Sequence, residues 1–246
     1  MGKCLFMRKG GIHTVPMTGI LASDIAVGSS VYLMENGVAA EYLVVNQGKP
    51  SGSSLYDDSC DGTWLLRKAL YESRQWHSSN SNSYKASTIH SYLNSTFLGL
   101  LDSDIQAVVK QVKIPYVNGT GSGGSVASGA NGLSAKIFLL SGYEVGFTTS
   151  VSSYFPVDGA KLDYFESGDT SGGTNRAKRI AYLNGTVVHW WLRSPYTNYA
   201  DYAWGVNTGG SYGGGYCSNS LGIRPALVLP STAVFDEETL ILKGVA

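Results

Sequence analysis

The sequence predicts an α+β fold of short strands, few helices and long ordered loops, and three observations carry that prediction. The 246 residues include 31 glycines and 16 tyrosines among many Ser and Asn, a composition that favours tight turns over helical bundles. Short apolar runs bounded by turn residues recur along the chain, whereas helical spacing shows in only a few short places. The length is enough to bury a substantial core without disulfide support.

Taken in order, the first twenty or so residues are punctuated by Gly10-Gly11 and Pro16 and read as a separate docking arm, bounded at 1–24. Residues 25–246 read as one domain. Val31 to Val45 is a hairpin, because Asn36-Gly37 supplies the positive φ angles that a tight primed turn needs between two apolar runs. Thr63-Trp-Leu-Leu-Arg67 follows the polar loop Gly52 to Gly62 as a strand. Behind a Ser87 cap, Ile89, Tyr92, Leu93, Phe97 and Leu98 fall near helical spacing, and a second short helix runs from Asp104 to Val109. Val112 to Val117 and Lys136 to Leu140 read as strands flanking a Gly/Ser-rich loop, Asn118 to Gly132. Leu162 to Glu166 reads as a short helix and Thr186 to Arg193 as a buried strand. Ile223 to Leu229 is a last strand, whose Pro225 argues for an edge or a bulge.

Composition narrows the partners. Formal charge is zero and only 15% of residues are charged, with no basic stripe, so neither nucleic acid nor an anionic membrane is expected. Cys4, Cys60 and Cys217 are odd in number and far apart, which fits neither a disulfide framework nor a zinc site. The start lacks the apolar run and cleavage site of a signal peptide, and Phe6 stands where myristoylation of Gly2 requires Ser or Thr. No apolar run is long enough to span a membrane. The expectation is a chain made in a cytoplasm, without membrane insertion.

Each motif that promises chemistry fails at a decisive position. Gly119-Thr-Gly-Ser-Gly-Gly124 matches G-x-G-x-x-G after a strand, but more loop follows where a helix N-terminus must receive a pyrophosphate. Asp57 to Gly62 imitates the start of a calcium loop, yet Lys68 occupies the place of its bidentate Glu. His13, His77, His90 and His189 are scattered, without a catalytic signature around a Ser or Cys. Asp201 has no second carboxylate nearby for glycosidase chemistry and reads as a contact residue. We expect no catalytic residue, metal or cofactor.

The informative stretch is Trp190 to Leu227. From Tyr196 to Leu221 nearly every residue is Tyr, Gly, Asn, Ser, Thr, Ala or Asp, five of the 16 tyrosines fall there, and Lys, Glu, Gln and Met are absent. Tyrosine gives large amphipathic contact area at low rotamer cost, and Gly, Ser and Asn give adaptable hydrogen bonding, the chemistry of an antibody paratope. The alternative is a Gly/Tyr-rich surface loop without a role. Trp190, Trp191, Trp204, Arg193 and Arg224 read as the frame, the two arginines needing hydrogen bonds to loop carbonyls or an acid.

Trp190-Trp-Leu-Arg-Ser-Pro195, Ala203-Trp204, Val206 and Gly222-Ile-Arg-Pro-Ala-Leu227 resemble the C-terminal variable region of proteins diversified by retroelements in gut bacteria and their phages. In that family, adenine substitution turns AAY codons into NNY, which cannot encode Lys, Glu, Gln, Met or Trp. The resemblance implies a C-type-lectin-like fold over residues 25–246 and a non-enzymatic ligand-binding function. It implies that Tyr196, Asn198, Tyr199, Asp201, Tyr202, Gly205, Asn207, Gly209, Ser211, Tyr212, Gly213 and Leu221 form one variable surface. It further implies a phage receptor-binding or tail-tip role, with a bacterial surface protein or glycan as ligand, other virion proteins docked on the N-terminal arm, and a homo-oligomer, a trimer by analogy. The alternatives are a bacterial surface adhesin exported by another route and an enzyme on a formylglycine-generating type of frame, for which Cys217 offers no cysteine pair. The calcium-lectin motifs E-P-N and Q-P-D are missing, which argues against calcium-dependent sugar binding.

Overall fold

Asn36 and Gly37 adopt φ angles of 50° and 75° and close the hairpin of Ser30–Glu35 with Val38–Gln47, as the Asn-Gly signal requires. The computed structural model describes residues 3–8, 11–16, 18–50, 54–119, 125–167 and 174–245. In it the hairpin forms half of a four-stranded antiparallel sheet, ordered Ala226–Leu229, Thr63–Arg67, Val38–Gln47, Ser30–Glu35. Thr63–Arg67 is interior to this sheet and buried along nearly its whole length, which explains its unbroken apolar run. The strand expected around Pro225 begins just after it, at Ala226, and lies at the sheet edge, where a missing N–H costs no ladder bond.

The predicted helix starts where its cap places it, with the His90 N–H donating to Ser87 Oγ at 3.1 Å. Thr88–Tyr92 is α-helical, Leu93–Phe97 widens into a π turn, and Leu98–Leu100 tightens again. Ile89, Leu93 and Phe97 point into the core. A short helix, Ser103–Val108, follows and buries Ile105.

A second sheet carries the aromatic segment. Its five strands are ordered Tyr212–Tyr216, Tyr202–Val206, Trp190–Pro195, Ser220–Gly222, Ser73–Gln75, antiparallel except where Trp190 meets Gly222 in parallel. A three-stranded sheet joins Leu242–Val245, Ala233–Phe235 and Ile20–Leu21. The architecture is thus small, mostly antiparallel sheets with few short helices, an α+β arrangement. Lys3–Arg8 and Gly11–Pro16 pair with each other as a hairpin. The 1–24 boundary drawn from sequence needs correction, since Ile20–Leu21 is already paired with Val234 and Phe235 and Ala22 is buried.

Three other expectations are corrected. Lys136 to Leu140 is not a strand: Phe138 makes a single bridge to Ala226, and the ladder strand lies earlier, at Leu133–Ala135. Side chains take up its backbone instead, as Asn94 Oδ1 accepts from Lys136 N and Ile137 N, and Tyr84 Oη accepts from Leu139 N. Leu162 to Glu166 is a turn closed by one Phe165 N–H to Leu162 carbonyl bond, not a helix. Thr186 to Arg193 divides, because Thr186–Val187 turns back on Tyr182–Leu183 through Asn184-Gly185 and the chain then enters the second sheet at Trp190. The Thr174–Arg179 helix was not foreseen. Most of the Gly119 to Gly124 motif, residues 120–124, lies outside the described residues.

Asn94 also donates to the Ile137 carbonyl at 2.8 Å, so Asn94→Ala orphans several backbone groups next to a fully buried Ile137. We expect a loss of about 1–3 kcal/mol in chemical denaturation, more than an Asn removed from an exposed helix would cost.

Candidate ligand-binding surface

The surface rests on a buried polar knot. Arg193 has all five N–H donors engaged: Nε reaches Pro115 O at 3.0 Å, the two Nη atoms reach Leu139 O and Asp158 O at 3.0 Å each, and both meet Glu144 at 2.5 and 2.6 Å. Glu144 in turn accepts from Ser141 N at 2.9 Å and from Tyr56 Oη at 2.7 Å. Burial disfavours a charge on Arg193, but the carboxylate outweighs that and holds its pKa above the ordinary guanidinium value. Trp190, Trp191 and Trp204 are buried as well, and their indole N–H groups donate to Arg179 O, Arg74 O and Tyr154 O. Arg224 is buried over the Trp190 ring, 5.2 Å from its centroid, with Nε on Arg67 O at 2.9 Å. Its Nη1 has no hydrogen-bond partner among the described residues, and burial pulls its pKa down to about 10.

Strand alternation then sorts the side chains of Tyr202–Val206 and Tyr212–Tyr216 onto two faces. Tyr202, Trp204, Tyr212 and Tyr216 share one face. There Tyr196 stacks on Trp204 at 3.6 Å between centroids, and Phe155 stacks on the other side of the indole at 3.9 Å. Gly214, paired with Trp204, leaves the room that Tyr196 occupies, because a Cβ there would lie 2.7 Å from its ring. Tyr199, Tyr202 and Tyr216 continue the cluster, with Tyr202 and Tyr216 4.2 Å apart, and Tyr212 meets Trp204 edge-on at 5.9 Å.

Two asparagines hold the loops that carry these rings. Asn82 is fully buried, and its Nδ2 lies within 2.6–3.0 Å of the carbonyls of Tyr196, Tyr199 and Tyr202. Gly119, at φ 81°, lies against Asn82, where a Cβ would come within 2.2 Å of its carbonyl oxygen. The first glycine of the G-x-G-x-x-G match therefore serves a close backbone approach. Asn207 Oδ1 accepts from Gly209 N and Ser211 N and shapes the turn between the two strands, while buried Arg179 donates to Gly210 O at 2.7 Å.

The twelve residues picked from sequence do not all lie together. Tyr196, Tyr199, Asp201, Tyr202 and Tyr212 gather on the aromatic side, and four of them, joined by Tyr216, line an open pocket of about 340 Å³: Tyr196, Tyr199, Asp201 and Tyr202. Asn198 is exposed beside them, and Asn207, Gly209 and Ser211 form the turn. Gly205 is corrected: it is buried on the opposite face, and a Cβ would sit 2.7 Å from Trp190 O. Gly213, its cross-strand partner, shares that face, and Leu221 packs there within 3.7 Å of the same Cβ position. Sequence reasoning missed Tyr216, although Tyr212 and Tyr216 stand four apart on one strand and so share a face. It also missed Tyr154, Phe155, Asn82 and Glu144, which come from remote loops with no local signal.

The remaining motifs have local roles. Asp57 caps a turn by accepting from Ser59 N at 2.9 Å, and Asp58 pairs with Lys49. Burial raises the thiol pKa of Cys60 to about 11 and of Cys217 to about 12. Among the described residues no group of three or more His, Cys, Asp or Glu is placed to hold a metal ion, and no helix is long and apolar enough to cross a membrane.

A family model for a domain of unknown function, DUF6273, matches residues 61–231, and the chain belongs to that family. No curated protein and no solved structure matches it. The matched span holds Arg193 and Glu144 with every group that Arg193 bonds, the loop of Tyr154 and Phe155, and the whole aromatic face.

Replacing Arg193 by Lys or Ala leaves Glu144 buried without its fork, and we expect about 3–5 kcal/mol of destabilisation in denaturant titrations. Asp158 gives a pH signature. It is fully buried beside Ser194, whose Oγ donates to it at 2.8 Å, and burial raises its pKa to about 7 against the opposing pull of Arg193. A carboxyl that holds its proton more tightly when folded stabilises the fold below its unfolded pKa, and that contribution fades as pH rises through the folded value. Unfolding free energy should therefore fall between about pH 4 and pH 7. In Asp158→Asn this component of the slope should vanish, and an unchanged slope in pH-dependent denaturation counts against the assignment.

Proposed function

We propose that this chain is a non-enzymatic binding protein whose aromatic face at 196–216 engages a bacterial surface protein or glycan. The observation that carries this reading is the exposed ring patch. Of eight exposed large hydrophobic residues among those described, four belong to this one cluster: Tyr154 at 40%, Tyr199 at 55%, Tyr212 at 37% and Tyr216 at 44%. A connected aromatic patch on a rigid support is the signature of a recognition site, whereas isolated exposed apolar residues carry no such meaning. The buried Trp and Arg frame supplies that support.

In this reading the frame is C-type-lectin-like and the chain is a phage receptor-binding component diversified by a retroelement. The Lys3–Arg8 and Gly11–Pro16 hairpin serves docking to other virion proteins, and display as a homo-oligomer, a trimer in the phage analogy, adds avidity over single weak sites. Diversification in such a system should fall at 198, 199, 201, 202, 212 and 216, where side chains face outward, and spare 205, where none fits. The coding locus checks this directly: a near-duplicate of the 190–227 segment beside a reverse transcriptase gene, differing at adenines, supports the reading. Variation concentrated at 205 or in the Trp190–Pro195 strand contradicts it.

Binding is tested with Tyr199→Ala and Tyr216→Ala combined. Truncating two exposed rings should leave the melting temperature nearly unchanged and weaken attachment to susceptible bacteria at least about tenfold, given about 2 kcal/mol or more per aromatic anchor. A large drop in melting temperature with attachment retained would mean that the rings serve the core.

A further inference from the structure

Taking this face to be a binding surface, we infer that the pocket lined by Tyr196, Tyr199, Asp201, Tyr202 and Tyr216 receives an organic cation, an alkylammonium group carried by the ligand. Three observations converge on that class. Four of the five lining residues are tyrosines whose neighbouring rings are tilted by 49–71° to one another, so they wall a cup and do not stack into a plug. The π face of a tyrosine attracts positive charge. Asp201 is the single charged residue between 196 and 221, and its carboxylate has no hydrogen bond or ion pair among the described residues.

The tyrosine hydroxyls do not compete for that role. Burial raises the pKa of Tyr196 to about 12, and the hydrogen bond to Tyr216 raises that of Tyr202 to about 12, so both stay neutral near pH 7. The pocket therefore carries one unpaired anion, surrounded by aromatic surface. A neutral guest gains only the apolar contact, and an anionic guest meets Asp201. A cation gains from the rings and the carboxylate together. An open pocket of about 340 Å³ admits a small headgroup, not a whole macromolecule, so the ammonium is one substituent of a larger ligand.

The test titrates the full chain with choline, with the neutral isostere 3,3-dimethyl-1-butanol, with Nα-acetyl-lysine methylamide and with methyl glucoside, following the tyrosine ring resonances by NMR. Choline or the lysine probe should bind at least about threefold more tightly than the isostere, the size of a solvent-exposed cation–π contact. A preference for the lysine probe identifies a protein side chain as the source, and a preference for choline a quaternary headgroup. Asp201→Asn should weaken binding of the cations more than that of the isostere and so narrow the preference, and its folding is protected because the backbone carbonyl of Asp201, which accepts from Cys217 N, is retained. Equal binding of cation and isostere, or shifts from the glucoside alone, overturns the inference. If attachment to cells depends on Tyr199 and Tyr216 while no cation binds, the inference falls alone. If cations bind while attachment ignores the tyrosines, the cell-attachment reading falls and the pocket assignment stands.

Discussion

The fold turns on one guanidinium. Arg193 sits in the middle of the Trp190–Pro195 strand, fully desolvated, and a charge there is tolerable only if every donor is met and a carboxylate balances it. Its five bonds tie three otherwise separate segments to that strand: the turn at Pro115, the run from Leu139 through the Ser141 to Glu144 turn, and the Asp158 loop. None of these is a ladder contact. Their relative positions are set by side-chain-to-backbone hydrogen bonds, whose direction and reach are narrower than those of apolar packing.

The same knot reaches the aromatic face through the Asp158 loop. That loop carries Tyr154 and Phe155, and Phe155 supports Trp204 from beneath while Tyr196 covers it from above. Asn82 fixes the opposite side by collecting three carbonyls of the Tyr196 to Tyr202 loop. The rings therefore project from backbone pinned at both ends. A binding surface so held loses little conformational entropy on association, which is where affinity is otherwise lost.

What the sequence revealed follows a physical division. Asn36-Gly37, the Ser87 cap and the Thr63–Arg67 apolar run act within a few residues, so their consequences were readable. The composition of 196–221 and the burial expected of Trp190, Trp191 and Trp204 were readable as well, because size and hydrophobicity are intrinsic to the side chain. Lys136 to Leu140 misled because an apolar run reports burial and not the partner of its backbone, which here is Asn94, Tyr84 and Arg193. Glu144 and Asn82 were invisible for the converse reason. Their value lies in acceptors and donors about fifty and more than a hundred residues away in the chain.

Glycine marks the limit of reading the surface as a list of positions. Gly205 and Gly214 belong to the same pair of strands, and a Cβ at either would lie within 3 Å of a backbone oxygen, that of Trp190 at 205 and that of Ala203 at 214. At 214 the ring of Tyr196 stands in the way as well. A side chain at 205 must therefore push the Trp190 strand, and one at 214 must displace the backbone at Ala203 together with the ring stacked on Trp204. Both glycines thus belong to the frame, and the face can change only at the outward-facing positions around them.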